Sequence, residues 1–235
     1  MTDFAAERRK MVERQIAGRG IRDKRVLEAM GSVPREAFAP KPLIDFAYAD
    51  TPLPLTKGAT ISQPYIVAFM AEKAGVSPGE RVLEIGTGSG YAAAVLNRMG
   101  AEVFTVERDA ALAEQARERL ARPGYEGIHV RVGDGALGWP EAAPFAAIVV
   151  TAAPEEVPEA LKEQLAPGGR LVVPVTDKEG EQRLKRLTRR KDGSLREEDL
   201  GWVRFVPLVS DPPVPRASRP GPGHPAGGRA GGRPG

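Results

Sequence analysis

The chain has 235 residues, enough to bury a full core, and carries a formal charge of +3 with a pI near 9.3. It has no cysteine, which excludes disulfides, thiolate chemistry and cysteine-ligated metals. The basic excess does not mark a nucleic-acid reader: from Asp211 onward there are four arginines (Arg216, Arg219, Arg229, Arg233) and one acid, and the rest is balanced, with no aromatic-interleaved basic patch.

The N-terminus, MTDFAAERRKMVERQ, is charged and leads into no apolar signal-peptide stretch. No run approaches the ~18 apolar residues that span a bilayer. The expectation is a cytoplasmic monomer with neither membrane nor nucleic-acid partners. Residues 1–75 read as helical with irregular links. Amphipathic runs cover Met11 to Ile16 and Val26 to Met30, and Asp23 is placed to cap the second. Pro34, Pro40, Pro42, Pro52 and Pro54 then break the chain into turns and extended pieces. GATISQP (58–64) follows as a hydroxyl-bearing loop before the helix-like run YIVAFMAEKAG.

Residues 76–175 alternate strand and helix signals. Strands are expected at RVLEI (81–85), AEVFTVE (101–107), IHVRVGD (128–134), FAAIVVTAA (145–153) and GGRLVVPV (168–175). Helices are expected from Tyr91 to Met99, after a cap at Asp109, and from Pro158 to Leu165. Such alternation predicts an α/β fold with a doubly wound, mostly parallel sheet, Rossmann-like, whose binding crevice lies at the carboxyl ends of the strands. Residues 176–210 read as C-terminal strands, RLKRLTRR and WVRFVPLV about a Lys-Asp-Gly turn. Together 1–210 are expected to form one domain. Residues 211–235, with 14 of 25 positions Pro or Gly, read as a disordered tail.

The segment Glu84-Ile85-Gly86-Thr87-Gly88-Ser89-Gly90 follows a strand and opens a helix. Glycines there allow a sharp turn and close approach of a ligand to backbone, and the helix start offers N–H groups to an anion. Glu107, 21 residues past Gly86, ends the next strand, where a carboxylate can accept both ribose hydroxyls. This set points to a nucleotide-like cofactor. The spacing G-x-G-x-G and the bulky Tyr91 in the sixth place disfavour NAD. The pattern resembles the first motif of Rossmann-like S-adenosylmethionine-dependent methyltransferases. That resemblance puts the methionine moiety on the loop, the ribose on Glu107 and its neighbour Arg108, and the adenine at Asp134 and Gly135. Asp134 also suits an ordinary turn.

GATISQPYIVAFM, RVLEIGTGSGY, VRVGDG, FAAIVVTAAPEEVPEAL, GGRLVVPV and VRFVPLV, with MVERQIAGRGI and VPREAFAP nearer the start, resemble the protein-L-isoaspartate O-methyltransferases over roughly residues 11–209. TISQP and VRFVPL are the specific parts; the glycine loop is generic. The resemblance implies methyl transfer to the free carboxylate of L-isoaspartyl residues in damaged proteins and peptides. It implies S-adenosylmethionine as donor, S-adenosylhomocysteine as product and no metal. It makes Ser62 the active-site serine and sets Thr60 and Ile61 against the cofactor beside Glu84, Gly86, Thr87, Gly88, Ser89 and Gly90. It also places VRFVPL near the peptide substrate. One departure is Ala146, where the family carries Asp; the tail is another.

The chemistry suits a chain with only two histidines, His129 and His224. A carboxyl group with a pKa of ~4 is already ionised at neutral pH, so no general base is needed. A nucleophilic serine needs an adjacent base, and none is evident. Ser62 therefore reads as a hydrogen-bond donor that orients the substrate carboxylate, although Thr60 and Ser62 could equally cap the helix beginning near Pro64. Rival readings are a small-molecule or RNA methyltransferase, an NAD-dependent oxidoreductase and a non-enzymatic binding module on the same scaffold.

Overall fold

A computed structural model describes residues 2–56 and 58–210. The expected disordered tail, 211–235, lies outside them. The framework is a seven-stranded sheet of order β5-β4-β3-β6-β7-β8-β9. Its strands are β3 (Arg81–Ile85), β4 (Glu102–Glu107), β5 (Ile128–Val132), β6 (Phe145–Val150), β7 (Leu165–Thr176), β8 (Gln182–Arg189) and β9 (Leu195–Trp202). Pairing is parallel from β5 through to β7 and antiparallel among β7, β8 and β9. Strand order reverses between β3 and β6, so the loops leaving those two strands diverge and open a crevice.

The central strands are apolar because both faces are covered. Val82, Val103, Ala147, Val149 and Val172 enter one core cluster, and their neighbours Leu83, Phe104, Ile148 and Leu171 enter the other. This is the period-two alternation of a strand, with helices on each side. The helices are α3 (Pro64–Ala74), α4 (Tyr91–Arg98), α5 (Ala110–Leu120) and α6 (Glu159–Glu163). Asp109 caps α5, accepting from Ala111 N and Leu112 N. Gly75 ends α3 in the left-handed conformation (φ 59°), and Arg170 of β7 donates to the Ala74 and Gly75 carbonyls, both at 2.7 Å.

The N-terminal region is welded to this framework. Helix α1 (Phe4–Lys10) runs into a π-helical turn, Met11–Ile16, that buries Met11 and Ile16. Helix α2 (Lys24–Ser32) starts at Asp23, whose carboxylate accepts from Arg25 N. Arg35 is fully buried, donates through Nε to Ala47 O at 2.7 Å and lays its guanidinium 4.8 Å from the Tyr91 ring centroid. Tyr91 also meets the edge of Phe38, and its hydroxyl donates to Met30 Sδ at 3.7 Å. The bulky first residue of α4 is therefore the joint between the N-terminal region and the sheet.

Two expectations change. The proline-broken stretch and the GATISQP loop contain an antiparallel hairpin, β1 (Leu53–Thr56) with β2 (Ala59–Ile61), pairing Leu53 with Ile61 and Pro54 with Thr60. Pro54 is tolerated because a two-stranded ribbon leaves each strand an unpaired edge. At the other end, the last strand is LREEDLGW (195–202), not WVRFVPLV. Its acids gain partners across the ladder: Arg183–Asp199 at 2.7 Å, Lys185–Glu197 at 2.7 Å and Arg186–Glu198 at 2.5 Å. Residues 203–208 then leave the sheet as an extended segment with one parallel bridge, Ala153 to Pro207. At the family departure, Ala146, the β6–β7 register slips between Phe145 and Ala147.

Candidate active site

A cleft of about 930 Å³ opens at the carboxyl ends of β3, β4 and β6. One wall is the glycine loop. Gly86 has φ +95°, and a Cβ there would sit 2.4 Å from Thr151 Oγ1. That hydroxyl, just past the end of β6, donates towards Ile85 O at 2.9 Å and Gly86 O at 3.0 Å. The loop is thus pinned to the neighbouring strand at the point where glycine is required. The Thr87 and Ser89 side chains turn inward: Thr87 Oγ1 lies 2.7 Å from Thr105 Oγ1, and Ser89 Oγ accepts from Tyr91 N. Their side chains support the loop, which leaves backbone as the surface it offers.

Glu84 lies beneath this loop with no solvent exposure. Thr105 Oγ1 donates to Glu84 Oε2 at 2.6 Å, while Oε1 has no partner among the described residues. Burial pushes its pKa up to about 8; the Thr105 bond opposes the shift and the charge of Glu107 adds to it. Glu84 borders a small cavity of about 40 Å³ that shares Thr60, Ser62, Gly86, Gly88 and Thr151 with the large cleft. An unsatisfied buried acceptor at this place suits a ligand that brings a donor, such as the ammonium of a methionine moiety.

Glu107 ends β4 at the cleft wall. Its Oε2 accepts from Gly88 N at 2.8 Å and its Oε1 from Asp109 N at 3.0 Å. Each oxygen keeps a further lone pair for a ribose hydroxyl. Arg108 Nη1 donates to Val209 O at 3.1 Å, tying this strand end to the C-terminal segment. Asp134 follows β5 and caps the short turn Gly135–Leu137 by accepting from Ala136 N. Gly135 is needed for packing: a Cβ there would lie 2.4 Å from Ile85 Cγ2. Both contribute to the fold as well as standing at the third strand's end.

The hydroxyl segment forms the facing edge. Strand β2 brings Thr60 to the glycine loop, its carbonyl 3.8 Å from where a Gly88 Cβ would be. Ile61 is buried behind it. The N-cap of α3 is Gln63, with no side-chain cap bond, so neither Thr60 nor Ser62 caps that helix. Gln63 instead bonds Asp50, Nε2 to Oδ1 at 2.7 Å. Ser62 borders both cavities, and no hydrogen bond among the described residues engages its hydroxyl. Among the described residues no histidine stands beside it: His129 lies on the sheet surface, 3.1 Å from Glu102 and stacked on Phe104.

The rim brings in residues that sequence reasoning missed. Arg19 lies 3.7 Å over the Tyr65 ring. Trp202 is 65% exposed and rests on Arg183 at 4.2 Å. With Thr151, these come from distant parts of the chain. Only Thr151 had a readable signal, its place at the carboxyl end of the strand beside β3. Among the described residues no group of three His, Asp or Glu is disposed to hold a metal ion, and no helix is long and apolar enough to cross a membrane.

The structure thus gathers the glycine loop, Glu84, Glu107, Thr60, Ser62 and Gly135 about one pair of adjoining cavities. Residues 6–212 match the family described as protein-L-isoaspartate(D-aspartate) O-methyltransferase. A protein-L-isoaspartate O-methyltransferase of Brucella anthropi is 55% identical over 211 residues, 90% of this chain and 97% of that one. A solved protein-L-isoaspartate O-methyltransferase superposes with TM-score 0.79 at 34% identity, covering 86% of this chain and 66% of the other. A beta-aspartate methyltransferase structure from Plasmodium falciparum, in complex with S-adenosyl-L-homocysteine, has TM-score 0.75 at 25% identity over 90% of this chain and all of its own.

Proposed function

Because the chain belongs to the protein-L-isoaspartate(D-aspartate) O-methyltransferase family, we propose that Ser62 positions the substrate carboxylate and that the glycine loop, Glu107 and Asp134 hold the methyl donor. The enzyme methylates the free carboxylate of L-isoaspartyl residues in proteins and peptides, with S-adenosylmethionine as donor. The domain reading that goes with this is a single catalytic unit over residues 1–210. The finer setting we favour is a cytoplasmic monomer that engages neither nucleic acid nor membrane, in keeping with the even charge balance outside the tail.

When bound, the donor supplies an activated methyl group on a cationic sulfur, which the substrate carboxylate displaces in line. The acceptor is already an anion near neutral pH, so the protein has no proton to remove. What its residues must do is align and exclude water, effects worth about 7–11 kcal/mol in the best intramolecular comparisons. Ser62 suits alignment because its hydroxyl is a neutral donor with no partner of its own among the described residues. A neutral donor holds the carboxylate without strongly lowering its reactivity, whereas a cation beside it would. Glu107 is proposed to accept from the ribose hydroxyls, with Arg108 beside it. Backbone of Gly86–Gly90 and the unpaired Glu84 Oε1 are proposed to face the methionine moiety, with Thr60 and Ile61 closing over it. Asp134 and Gly135, at the end of the third strand, are proposed to receive the adenine.

The observation that carries this reading is the Ser62 hydroxyl, on the shared border of both cavities and without a hydrogen bond among the described residues. Ser62→Ala is expected to lower kcat/KM for an isoaspartyl peptide about 10²-fold or more, as loss of a preorganised donor does elsewhere. Affinity for S-adenosylhomocysteine, measured by calorimetry, should stay near that of the parent. Undiminished turnover would remove Ser62 from the mechanism.

A further inference from the structure

Strand β8 begins at Gln182, paired with Thr176, and the residues before it turn away, Glu181 bonding Asp177 through Asp177 N and Glu181 O at 2.8 Å. The last residue of β9, Trp202, pairs with Arg183. Beyond this point β8 has only Gln182 left to offer, yet residues 203–208 stay extended. The reason is Gln182. Its carbonyl accepts from Val203 N at 3.1 Å. Its side-chain amide then takes both backbone groups of Phe205: Oε1 accepts from Phe205 N at 2.6 Å, and Nε2 donates to Phe205 O at 3.1 Å. A primary amide has the donor and acceptor of a peptide unit, so this side chain stands in for a missing ladder residue. Further along, Ala153 takes over, accepting from Leu208 N and donating to Val206 O. Pro207 sits between those two bonds, where its missing N–H costs nothing.

In an extended segment, successive residues turn their backbone groups to opposite sides. Phe205 faces Gln182, so Arg204 presents its N–H and C=O the other way. No hydrogen bond among the described residues reaches either group, and residues 203–209 border the cleft. We propose that Gln182 is a positioning residue for the peptide substrate: its side-chain amide keeps Val203–Phe205 extended, so that Arg204's main chain is an open ladder site for the peptide beside the isoaspartyl residue. This rests on the reading of the segment as the peptide wall of the cleft. Main-chain pairing suits an enzyme whose substrates share a backbone lesion and little else.

Two measurements test it separately. The first follows exchange of the Arg204 amide by NMR, with S-adenosylhomocysteine present and a short isoaspartyl peptide added. Protection on adding peptide is expected; no protection would overturn the peptide-wall reading and this inference with it. The second is steady-state kinetics of Gln182→Ala. It is expected to raise KM for the peptide about tenfold, to leave kcat within about twofold and to leave S-adenosylhomocysteine affinity unchanged. Gln182→Glu, which keeps the acceptor for Phe205 N and loses the donor, should fall between the two. An unchanged KM in Gln182→Ala, with Arg204 protected in the parent, would overturn the role of Gln182 alone. An equal fall in kcat, or weakened cofactor binding, would mark a general structural loss and overturn it too.

Discussion

On the glycine-loop wall, many polar groups beside the cleft are already bonded within the protein. Thr87 meets Thr105, Thr105 meets Glu84, Glu107 holds Gly88 and Asp109, and Thr151 holds the carbonyls of Ile85 and Gly86. Across the cleft, the Ser62 hydroxyl and the main chain of Arg204 have no such bonds among the described residues. Apart from Glu84 Oε1, the side chains of one wall are bonded before any ligand arrives, and the other wall is left to be completed by one. On the proposed assignment of one wall to the cofactor and the other to the peptide, the difference follows from the partners. A cofactor of constant shape rewards a rigid site, since nothing must be ordered when it binds. A variable peptide is better met by open backbone and a single neutral hydroxyl, whose bonds any sequence can complete.

Disturbing the glycine-loop wall should cost the most. Gly86→Ala would force a side chain into a positive-φ position and against Thr151 Oγ1. The expected loss is about 2–4 kcal/mol of stability, read as a lower melting temperature and weakened S-adenosylhomocysteine binding. A parent-like melting curve would show that the loop is not rigidly held. Next is Glu107→Ala, which removes bonds to Gly88 and Asp109 together with the proposed ribose acceptor. Affinity for S-adenosylhomocysteine should fall about 10- to 100-fold, the scale of a charged hydrogen bond. Unchanged affinity by calorimetry would sink the ribose assignment.

A smaller effect sharpens the picture at Glu84. Its folded pKa, about 8, stands above the ordinary value of 4.5. The folded chain therefore keeps this proton while the unfolded chain loses it, and the residue's contribution to stability falls as pH rises between those two values. Glu84→Gln should flatten the pH dependence of cofactor-free stability across that interval. A slope identical to the parent's would mean that Glu84 is ionised in its pocket.

The parallel core was legible because its physics is local. RVLEI and FAAIVV are apolar since both faces are covered, and Asp23 and Asp109 announce their helices by capping them. The ends of the chain were less so. Strand β9 reads as polar because its stability comes from charges on β8, which no window of its own sequence contains. VRFVPL looks like a strand, but its pairing is finished by a Gln182 side chain and an Ala153 bridge. At the site, the glycine loop and Glu107 follow from their spacing. Thr151, Arg19 and Trp202 are brought in by topology. The resemblance singled out Ser62, and the structure adds that its hydroxyl is free of a capping role.

The charged ladder of β9 has a consequence for the company this enzyme keeps. Its substrates are other polypeptide chains, and any exposed strand they carry could pair with a sheet edge. β9 is an outermost strand of the sheet, and a bare outer strand would invite such chains to stack onto it. Arg196, Glu197, Glu198 and Asp199 along that border make stacking costly. A visiting chain is turned away from the flank, whereas the stretch Val203, Phe205 to Leu208, which lines the cleft, carries no charge. The outer flank of the sheet is thereby a poor template for strand addition.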